Sequence, residues 1–502
     1  MKPIKKAKSI RKNYIYNAAF YIFTLIFPLI TIPFVAKALG PQQLGIYLYS
    51  YSIVALFALV SNLGIMNYGN KTVAAARDDK EKLAKTFTSL YLVSLCMTIP
   101  ALLLYFGYCF LFVQANREIF LLQSLFLLST LFDISWFYMG MEEFGVTIKR
   151  DVIVKSLTLV AILFLVRGQN SLVVYTLVMS VGALVSQLVL WVPVHRYIAV
   201  TKVRAKECTH HLRPLFLLFI PVVATSVYTT LSVVLLGAIA NVSEVGQYVT
   251  ATRIIAVPLG LIAAMGIVML PRMSNIIANK DPLKMNNYIK KSMRFVLFLS
   301  LPICFGLLAV SNTLVILIMG VNFAQAGVVL TIIAPVVVFA AWANVVRTQY
   351  TIPAGKNSIY IRSTIVAAIV SLGLNLALIP LYKSTGAAIA MLCAEFSVMF
   401  YQSFALRGDL RIRAYLKSSR AFLFKALIMF AAVLLVGFAI SQPYIRIILQ
   451  IIIGGFVYAT LNLVYLDKTI LNGKIKHPIW RKLLIAKERL YAEGDDISGE
   501  AY

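Results

Sequence analysis

Three ionisable residues lie inside long apolar stretches of the sequence, where a charged group is costly unless it faces a cavity or a partner. They are Arg253, Glu395 and Asp133. Arg253 stands about seven residues into its stretch, which is about 10 Å along a helix. A guanidinium can hold a phosphate through two parallel hydrogen bonds. Arg253 is therefore the predicted anion-binding residue. A structural ion pair, or a side chain reaching back to the interface, is the alternative.

The two carboxylates allow different roles. Glu395 lies about nine residues into its stretch, which is near the middle of a helix crossing a membrane of about 30 Å. That position suits H⁺ or Na⁺ coupling, and it equally suits an ion pair with Arg253 or another cation. Asp133 stands just before Trp136. We expect Asp133 to pair with a cation or to contribute to a gate at the cytoplasmic end.

Further polar residues lie in or near the apolar stretches. Lys37 and Arg347 stand near the ends of stretches, where they could line the mouths of a cavity or anchor the chain at the interface. Asn67 and Asn344 could bind sugar hydroxyls. Such residues also form interhelical hydrogen bonds in membranes, worth about 0.6 kcal/mol each.

The composition decides which elements must position these residues. Hydrophobic residues make up 60% of the 502 residues and charged residues only 13%, whereas soluble domains have about 45–50% and about 25%. This excludes a soluble enzyme, a disordered tail and a secreted disulfide scaffold. One helical span needs roughly 20 apolar residues, so the chain predicts an all-α integral membrane protein with about fourteen spans.

The basic residues predict the topology. With the amino terminus in the cytoplasm, 41 of the 47 Lys and Arg residues fall in cytoplasmic stretches, as cytoplasmic loops prefer, and Arg253 alone falls inside a span. The outer connections hold Lys37, Arg117, Arg167, Lys383 and Arg446. We therefore expect a multi-pass protein of the cell membrane with both termini cytoplasmic. The net charge of +28 then reflects topology, and no nucleic-acid partner is expected.

The sequence contains an internal repeat that divides it into two halves. Gly45-Ile46-Tyr47 and Gly246-Gln247-Tyr248 stand 201 residues apart, and each opens the second span of a half. The preceding spans contain Pro28 and Pro221. Proline can kink a helix, and paired interruptions point to the substrate pathway of a transporter. The predicted units are a six-helix half at 1–205, a second at 206–415, two further spans at 416–466 and a cytoplasmic tail at 467–502.

Three groups of residues form a recognisable pattern. The first is Pro28, Pro33 and the segment Ala38-Leu39-Gly40-Pro41, followed by Gly45-Ile46-Tyr47. The others are the segment from Asp133 to Glu142 and the charged loop Ala76-Arg77-Asp78-Asp79-Lys80. With this pattern the chain resembles polysaccharide flippases of the Wzx type, within the multidrug/oligosaccharidyl-lipid/polysaccharide exporter superfamily.

The resemblance implies that the protein moves undecaprenyl-diphosphate-linked oligosaccharide repeat units from the cytoplasmic to the outer leaflet by alternating access. Arg253 would then bind the diphosphate. The partners of the protein would be membrane lipids, a polysaccharide polymerase and glycosyltransferases. A lipid II flippase and a multidrug exporter are the alternatives. A membrane polymerase is disfavoured because the outer connections are short. The chain has no GxxxxGK[ST] phosphate loop, HExxH or GxSxG motif, so neither an enzymatic activity nor a cofactor is expected.

Overall fold

The computed structural model describes residues 10–198 and 201–466, which form helices joined by short turns, without a strand in these ranges. The predicted tail at 467–502 lies outside them. The α-helices are α1 Ile10–Asn62, α2 Ile65–Ala76, α3 Lys80–Leu111, α4 Arg117–Leu131, α5 Ser135–Gly140, α6 Phe144–Leu165, α7 Leu172–Val189, α8 Trp191–Val194, α9 Ala205–Ser226, α10 Ser232–Ile239, α11 Val242–Ala278, α12 Pro282–Met319, α13 Ala324–Ile333, α14 Val336–Val346, α15 Asn357–Ala405, α16 Ile412–Ala439, α17 Pro443–Leu461 and α18 Leu463–Leu466. Short 3₁₀ turns occupy Gln169–Ser171 and Val321–Phe323, and π-helical turns occupy Val227–Leu231 and Arg347–Thr351.

The apolar composition produces the predicted all-α membrane fold. Among the described residues, ten helices are long and apolar enough to cross a membrane, or eleven when the bent pair Val321–Ile333 and Val336–Thr351 is counted as one span. Two of the long helices contain a kink: α1 at Gly40 and α15 at Lys383. The 49 residues of α15 would extend about 74 Å if straight, more than twice the thickness of the hydrocarbon core. The count of fourteen spans stays a prediction.

Local signals in the sequence set several helix starts. Asp79 accepts hydrogen bonds from the backbone nitrogens of Glu81 and Lys82 and caps α3. Asn241 caps α11 in the same way, through the nitrogen of Glu244 at 3.0 Å. Asp281 caps α12 ahead of Pro282. These side chains satisfy orphan donors of the first helical turn.

The apolar stretch that contains Asp133 is not one continuous helix. It consists of α4 and α5, separated by a break at residues 132–134. Asp133 lies in the break, where its carboxylate accepts a hydrogen bond from the nitrogen of Ser135 at 2.9 Å. An aspartate competes for backbone donors and favours helix starts over helix interiors. Asp133 thus lies within the span Arg117–Gly140, but at a break between two helices rather than in a regular helix.

Helices α1 and α11 join the predicted halves. Helix α1, after its kink, packs along α11, and both signature glycines lie at this crossing. A Cβ on Gly45 would lie 1.7 Å from the carbonyl oxygen of Val242, and one on Gly246 would lie 2.3 Å from that of Pro41. Glycine is needed at both positions because the two backbones touch. The sequence repeat therefore marks a real contact, although the division into two six-helix bundles stays a prediction.

Candidate functional site

Arg253 lies about two turns beyond Gly246 on α11 and faces a cluster of tyrosines. Its guanidinium is in electrostatic contact with Tyr175 of α7 and with Tyr47 and Tyr51 of α1. The ring of Tyr47 lies 4.7 Å from that of Tyr175, edge to face. A residue of the second half thus sits among three residues of the first half.

This tyrosine cluster leaves the charge of Arg253 uncompensated by the groups that touch it. The three phenols are neutral, and Arg253 is itself only partly exposed. A guanidinium in such a place attracts an anion strongly, because the medium around it screens charge less than water does. An anionic group would be attracted to this place between the predicted halves, and the role of Arg253 in binding one stays a prediction.

A second polar cluster lies within the second half. Arg347 begins the π-helical turn after α14, and its Nη2 donates to Oδ1 of Asn344 at 2.9 Å. The guanidinium carbon also lies 5.4 Å from the ring centre of Tyr360. Asn344 Nδ2 donates in turn to the carbonyl oxygen of Ile262 on α11. The structure therefore brings the predicted residues Arg347 and Asn344 together.

Glu395 of α15 belongs to the same cluster. It interacts electrostatically with Arg347 and with Tyr228, which lies in the π-helical turn Val227–Leu231. The cation beside Glu395 is thus Arg347, and not Arg253, the cation that the sequence analysis names for it. Both π-helical turns contribute to one site, and such turns are frequent at functional sites because they widen the backbone.

The other predicted residues lie elsewhere. The side chain of Lys37 on α1 and that of Asn67 on α2 are exposed, which is compatible with a position at a cavity mouth. Pro28 lies within α1 and Pro221 within α9, but their side chains are outside the described set. Their roles as hinges stay predictions.

The segments that carry the family resemblance are linked at one end of the first half. Arg77 of the charged loop forms a 2.6 Å ion pair with Glu142, which follows α5. Gly69 of α2 allows the indole of Trp136 to pack against the backbone, since a Cβ there would lie 2.8 Å from the ring. The indole nitrogen donates to the carbonyl oxygen of Asp133 at 3.1 Å. Asp133 thereby positions α5 against α2.

Sequence reasoning missed two buried polar residues. Arg150 was counted in a cytoplasmic loop, yet it lies in α6 with only 7% exposure. Its guanidinium donates to the hydroxyls of Ser135 and Ser186 and to Oε1 of Gln187. It therefore ties α5, α6 and α7 together. The charge counts of loops give no signal for this, because burial depends on partners far away in the sequence.

His211 is the second residue missed. The adjacent residues His210 and His211 both lie in α9, and His211 is only 9% exposed. Its Nδ1 is 2.9 Å from the hydroxyl of Tyr68 and its Nε2 is 3.0 Å from that of Ser89. Burial, and next the neighbouring His210, lower the pKa of His211. The ring connects the second half to α2 and α3 of the first.

The folded chain is a multi-pass α-helical membrane protein with polar clusters where its halves meet. The family of polysaccharide biosynthesis proteins matches residues 10–277, more than half of the chain. The chain belongs to this family.

Three individual proteins show how far the similarity extends. A protein of Escherichia coli strain K12 named for O-antigen transport is 25% identical over 393 residues, covering 77% of this chain and 94% of that protein. A Haloferax volcanii protein named as a flippase of low-salt glycan biosynthesis is 22% identical over 91% of this chain and 96% of its own length. The inward closed structure of the lipid II flippase MurJ covers 91% of this chain and 100% of its own, with a TM-score of 0.71 and 16% identity. The last comparison establishes the fold.

Proposed function

We propose that the protein is a flippase that moves undecaprenyl-diphosphate-linked oligosaccharide repeat units from the cytoplasmic to the outer leaflet for polysaccharide biosynthesis. The observation that carries this proposal is the cationic Arg253 among neutral tyrosines at the junction of the halves. Membership in the polysaccharide biosynthesis family and relatives named for O-antigen transport and glycan flipping supply the substrate class. Neither relative is named as an enzyme, so the proposed activity makes or breaks no covalent bond.

The proposed mechanism is alternating access between the two halves. Arg253 binds the diphosphate, while Arg347 and Asn344 bind the same headgroup from the second half. Lys37 and Asn67 line the mouths of the passage. Pro28 and Pro221 serve as hinges, and Asp133 sets the position of α5 at the gate.

Glu395 is the proposed coupling residue, for H⁺ or Na⁺. A carboxylate beside Arg347 can compensate its charge when no substrate is bound. Substrate phosphate competes for the same guanidinium, and the displaced carboxylate then gains from binding a cation. This exchange links the two binding events.

The basic loops orient the protein in the cell membrane with both termini in the cytoplasm, since cytoplasmic loops collect Lys and Arg. The polysaccharide polymerase and the glycosyltransferases are its proposed partners in the outer and the inner leaflet. The fold alone is compatible with a lipid II flippase and with a multidrug exporter. Arg253 forms no ion pair with a carboxylate of residues 10–198 and 201–466, which favours the anionic substrates over cationic drugs.

The test is transport by the purified protein in vesicles loaded with a fluorescent lipid-linked oligosaccharide in one leaflet. We expect the labelled oligosaccharide to become accessible to an impermeant glycosidase on the other side. Parallel vesicles contain lipid II, or a cationic dye in place of the lipid. Movement of lipid II or the dye alone would overturn the proposal in favour of the corresponding alternative.

A further inference from the structure

An apolar groove runs between α9 and the first part of α15. Its volume is about 620 Å³, within the range of about 300–1,000 Å³ for ligand pockets. Eleven residues line it, and Arg213 is the only charged one among them. Ala224 and Ala368 form its buried floor, each with 8% exposure.

The exposed walls of the groove come from one face of each helix. Phe216 and Ile220 stand on α9, with Ile369 on α15, and each has 49% or more of its surface exposed. At about 100° per residue, Ile220 stands about 180° around α9 from His211. The face that holds His211 packs on the first half, together with the fully buried Leu215. The groove therefore opens sideways, on the far side of a helix that joins the halves.

The groove is long enough to cross the hydrocarbon of one leaflet of a bilayer. From Arg213 to Val227 its wall extends about 21 Å, whereas the hydrocarbon of one leaflet is about 15 Å thick. Arg213 lies at the end of the groove that is nearer the start of α9, where Arg204 and Lys206 add further positive charge. A ligand matched to this surface has one long apolar chain and a phosphate at its end.

We infer that this groove binds the polyprenyl chain of the lipid carrier in the cytoplasmic leaflet, with its diphosphate beside Arg213 before the headgroup enters between the halves. The inference rests on the proposed function and adds the place where the carrier binds first. The occupant is the carrier because Arg213, the one charged residue that lines the groove, complements a diphosphate, and the remaining lining complements a long apolar chain. The chain thus remains in an apolar environment, and only the headgroup is transferred from water to the protein.

The experiment uses photocrosslinking of the full-length protein in vesicles of phosphatidylethanolamine and phosphatidylglycerol that contain radiolabelled undecaprenyl diphosphate. p-Benzoylphenylalanine replaces Ile369 in the groove or, as a control, Phe424 on α16. The two sites are matched, with 66% and 65% exposure, and each lies twelve residues beyond the first residue of its helix. We expect about tenfold more label at Ile369, a difference of roughly 1.4 kcal/mol.

A charge reversal completes the test. Arg213→Glu changes an exposed side chain, and we expect it to reduce labelling at Ile369 to the level at Phe424. Equal labelling at the two sites, or labelling unaffected by Arg213→Glu, would overturn the inference. Competition by excess phosphatidylglycerol as strong as that by unlabelled undecaprenyl diphosphate would assign the groove to bulk phospholipid instead.

The transport assay separates this inference from the proposed function. If the wild-type protein moves the lipid-linked oligosaccharide but the groove is not labelled selectively, only the tail site is wrong. If the groove is labelled selectively but no oligosaccharide is moved, the carrier site stands and the flippase proposal fails.

Discussion

At the scale of single residues, the charge of Arg253 has the largest predicted consequence. Its neighbours are Tyr47, Tyr51 and Tyr175, whose side chains carry no charge. Hydrogen bonds from a cation to phosphate are worth more than neutral ones. The side chain should therefore matter through its charge rather than through its packing.

We expect Arg253→Glu to lower transport by about tenfold or more, which is roughly 1.4 kcal/mol or more, because a carboxylate repels the diphosphate. Arg253→Lys should retain part of the activity, since the charge stays but the two-pronged geometry is lost. Initial rates in vesicles at matched protein levels measure the effect. Arg167→Glu, on an exposed arginine, is the matched control. Full transport by Arg253→Glu would remove this residue from the phosphate site.

His211 predicts a pH dependence of stability. Its lowered pKa means that the folded state binds a proton less readily than the unfolded chain. The contribution of His211 to the free energy of unfolding is therefore complete above the ordinary pKa of 6.5. It decreases as the pH falls below that value, because the unfolded state takes up the proton more readily than the folded state. Thermal unfolding in detergent between pH 7.5 and 5.5 measures this.

The matched control for the pH experiment is the adjacent residue. His210→Gln alters an exposed imidazole and should keep most of the pH dependence, whereas His211→Gln should reduce it. The reverse ranking would show that the buried ring is not the titrating group. The hydrogen bond that Ser89 donates to the carbonyl oxygen of Thr86 leaves the Ser89 oxygen to accept from Nε2, so the neutral ring donates there and accepts from Tyr68 at Nδ1.

At the scale of helices, close backbone contact between α1 and α11 governs how the halves meet. We expect Gly45→Ala and Gly246→Ala each to destabilise the protein by about 1–3 kcal/mol, the range for overpacked sites. In both cases the added Cβ meets a carbonyl oxygen rather than a flexible side chain. The midpoint of thermal unfolding in detergent is the measurement.

Gly373→Ala provides the comparison for these two variants. Gly373 also lies inside a helix, α15, but a Cβ there would meet no atom within 4 Å. Alanine should then stabilise the helix by about 0.5–1 kcal/mol. Similar effects at all three positions would show that helix propensity, and not the helix crossing, determines the result.

At the scale of the whole molecule, alternating access requires the halves to separate at the end where Gly45 and Gly246 meet. Gly237 of α10 lies against the ring of Tyr49 on α1, and a Cβ on Gly237 would lie 2.2 Å from that ring. Replacing both residues by cysteine removes the ring and puts two thiols into the space it occupied. The pair Tyr49→Cys and Gly237→Cys thus tests whether these helices move apart.

In a background without the five native cysteines, oxidation of this pair should reduce transport by about tenfold or more, and a reductant should restore it. A disulfide holds the two Cα atoms within about 7 Å, which prevents separation. The single-cysteine variants are the controls and should be insensitive to oxidation. Undiminished transport by the fully crosslinked protein would rule out rocking at this end.

The sequence alone determined the class of protein and several of its contacts. Because 60% of its residues are apolar, the chain can expose its surface only to a membrane. Backbone groups inside a membrane must form hydrogen bonds with one another, which a helix achieves within a single segment. The repeated Gly-x-Tyr motif was predicted to open the second span of each half, and its glycines lie where the backbones of α1 and α11 touch. Arg253 was found in the same way, since a lone charge in an apolar helix stands out in a linear sequence.

The tertiary structure alone decided which partners these residues have. Glu395 pairs electrostatically with Arg347 rather than Arg253, and His211 and Arg150 are buried by helices that lie far from them in the sequence. Periodicity and composition describe one helix at a time, whereas burial and hydrogen bonding depend on the neighbours that packing brings to it. The break at Asp133 belongs here too, because it accompanies a hydrogen bond from the nitrogen of Ser135 to the Asp133 carboxylate and the packing of Trp136 on Gly69 of α2.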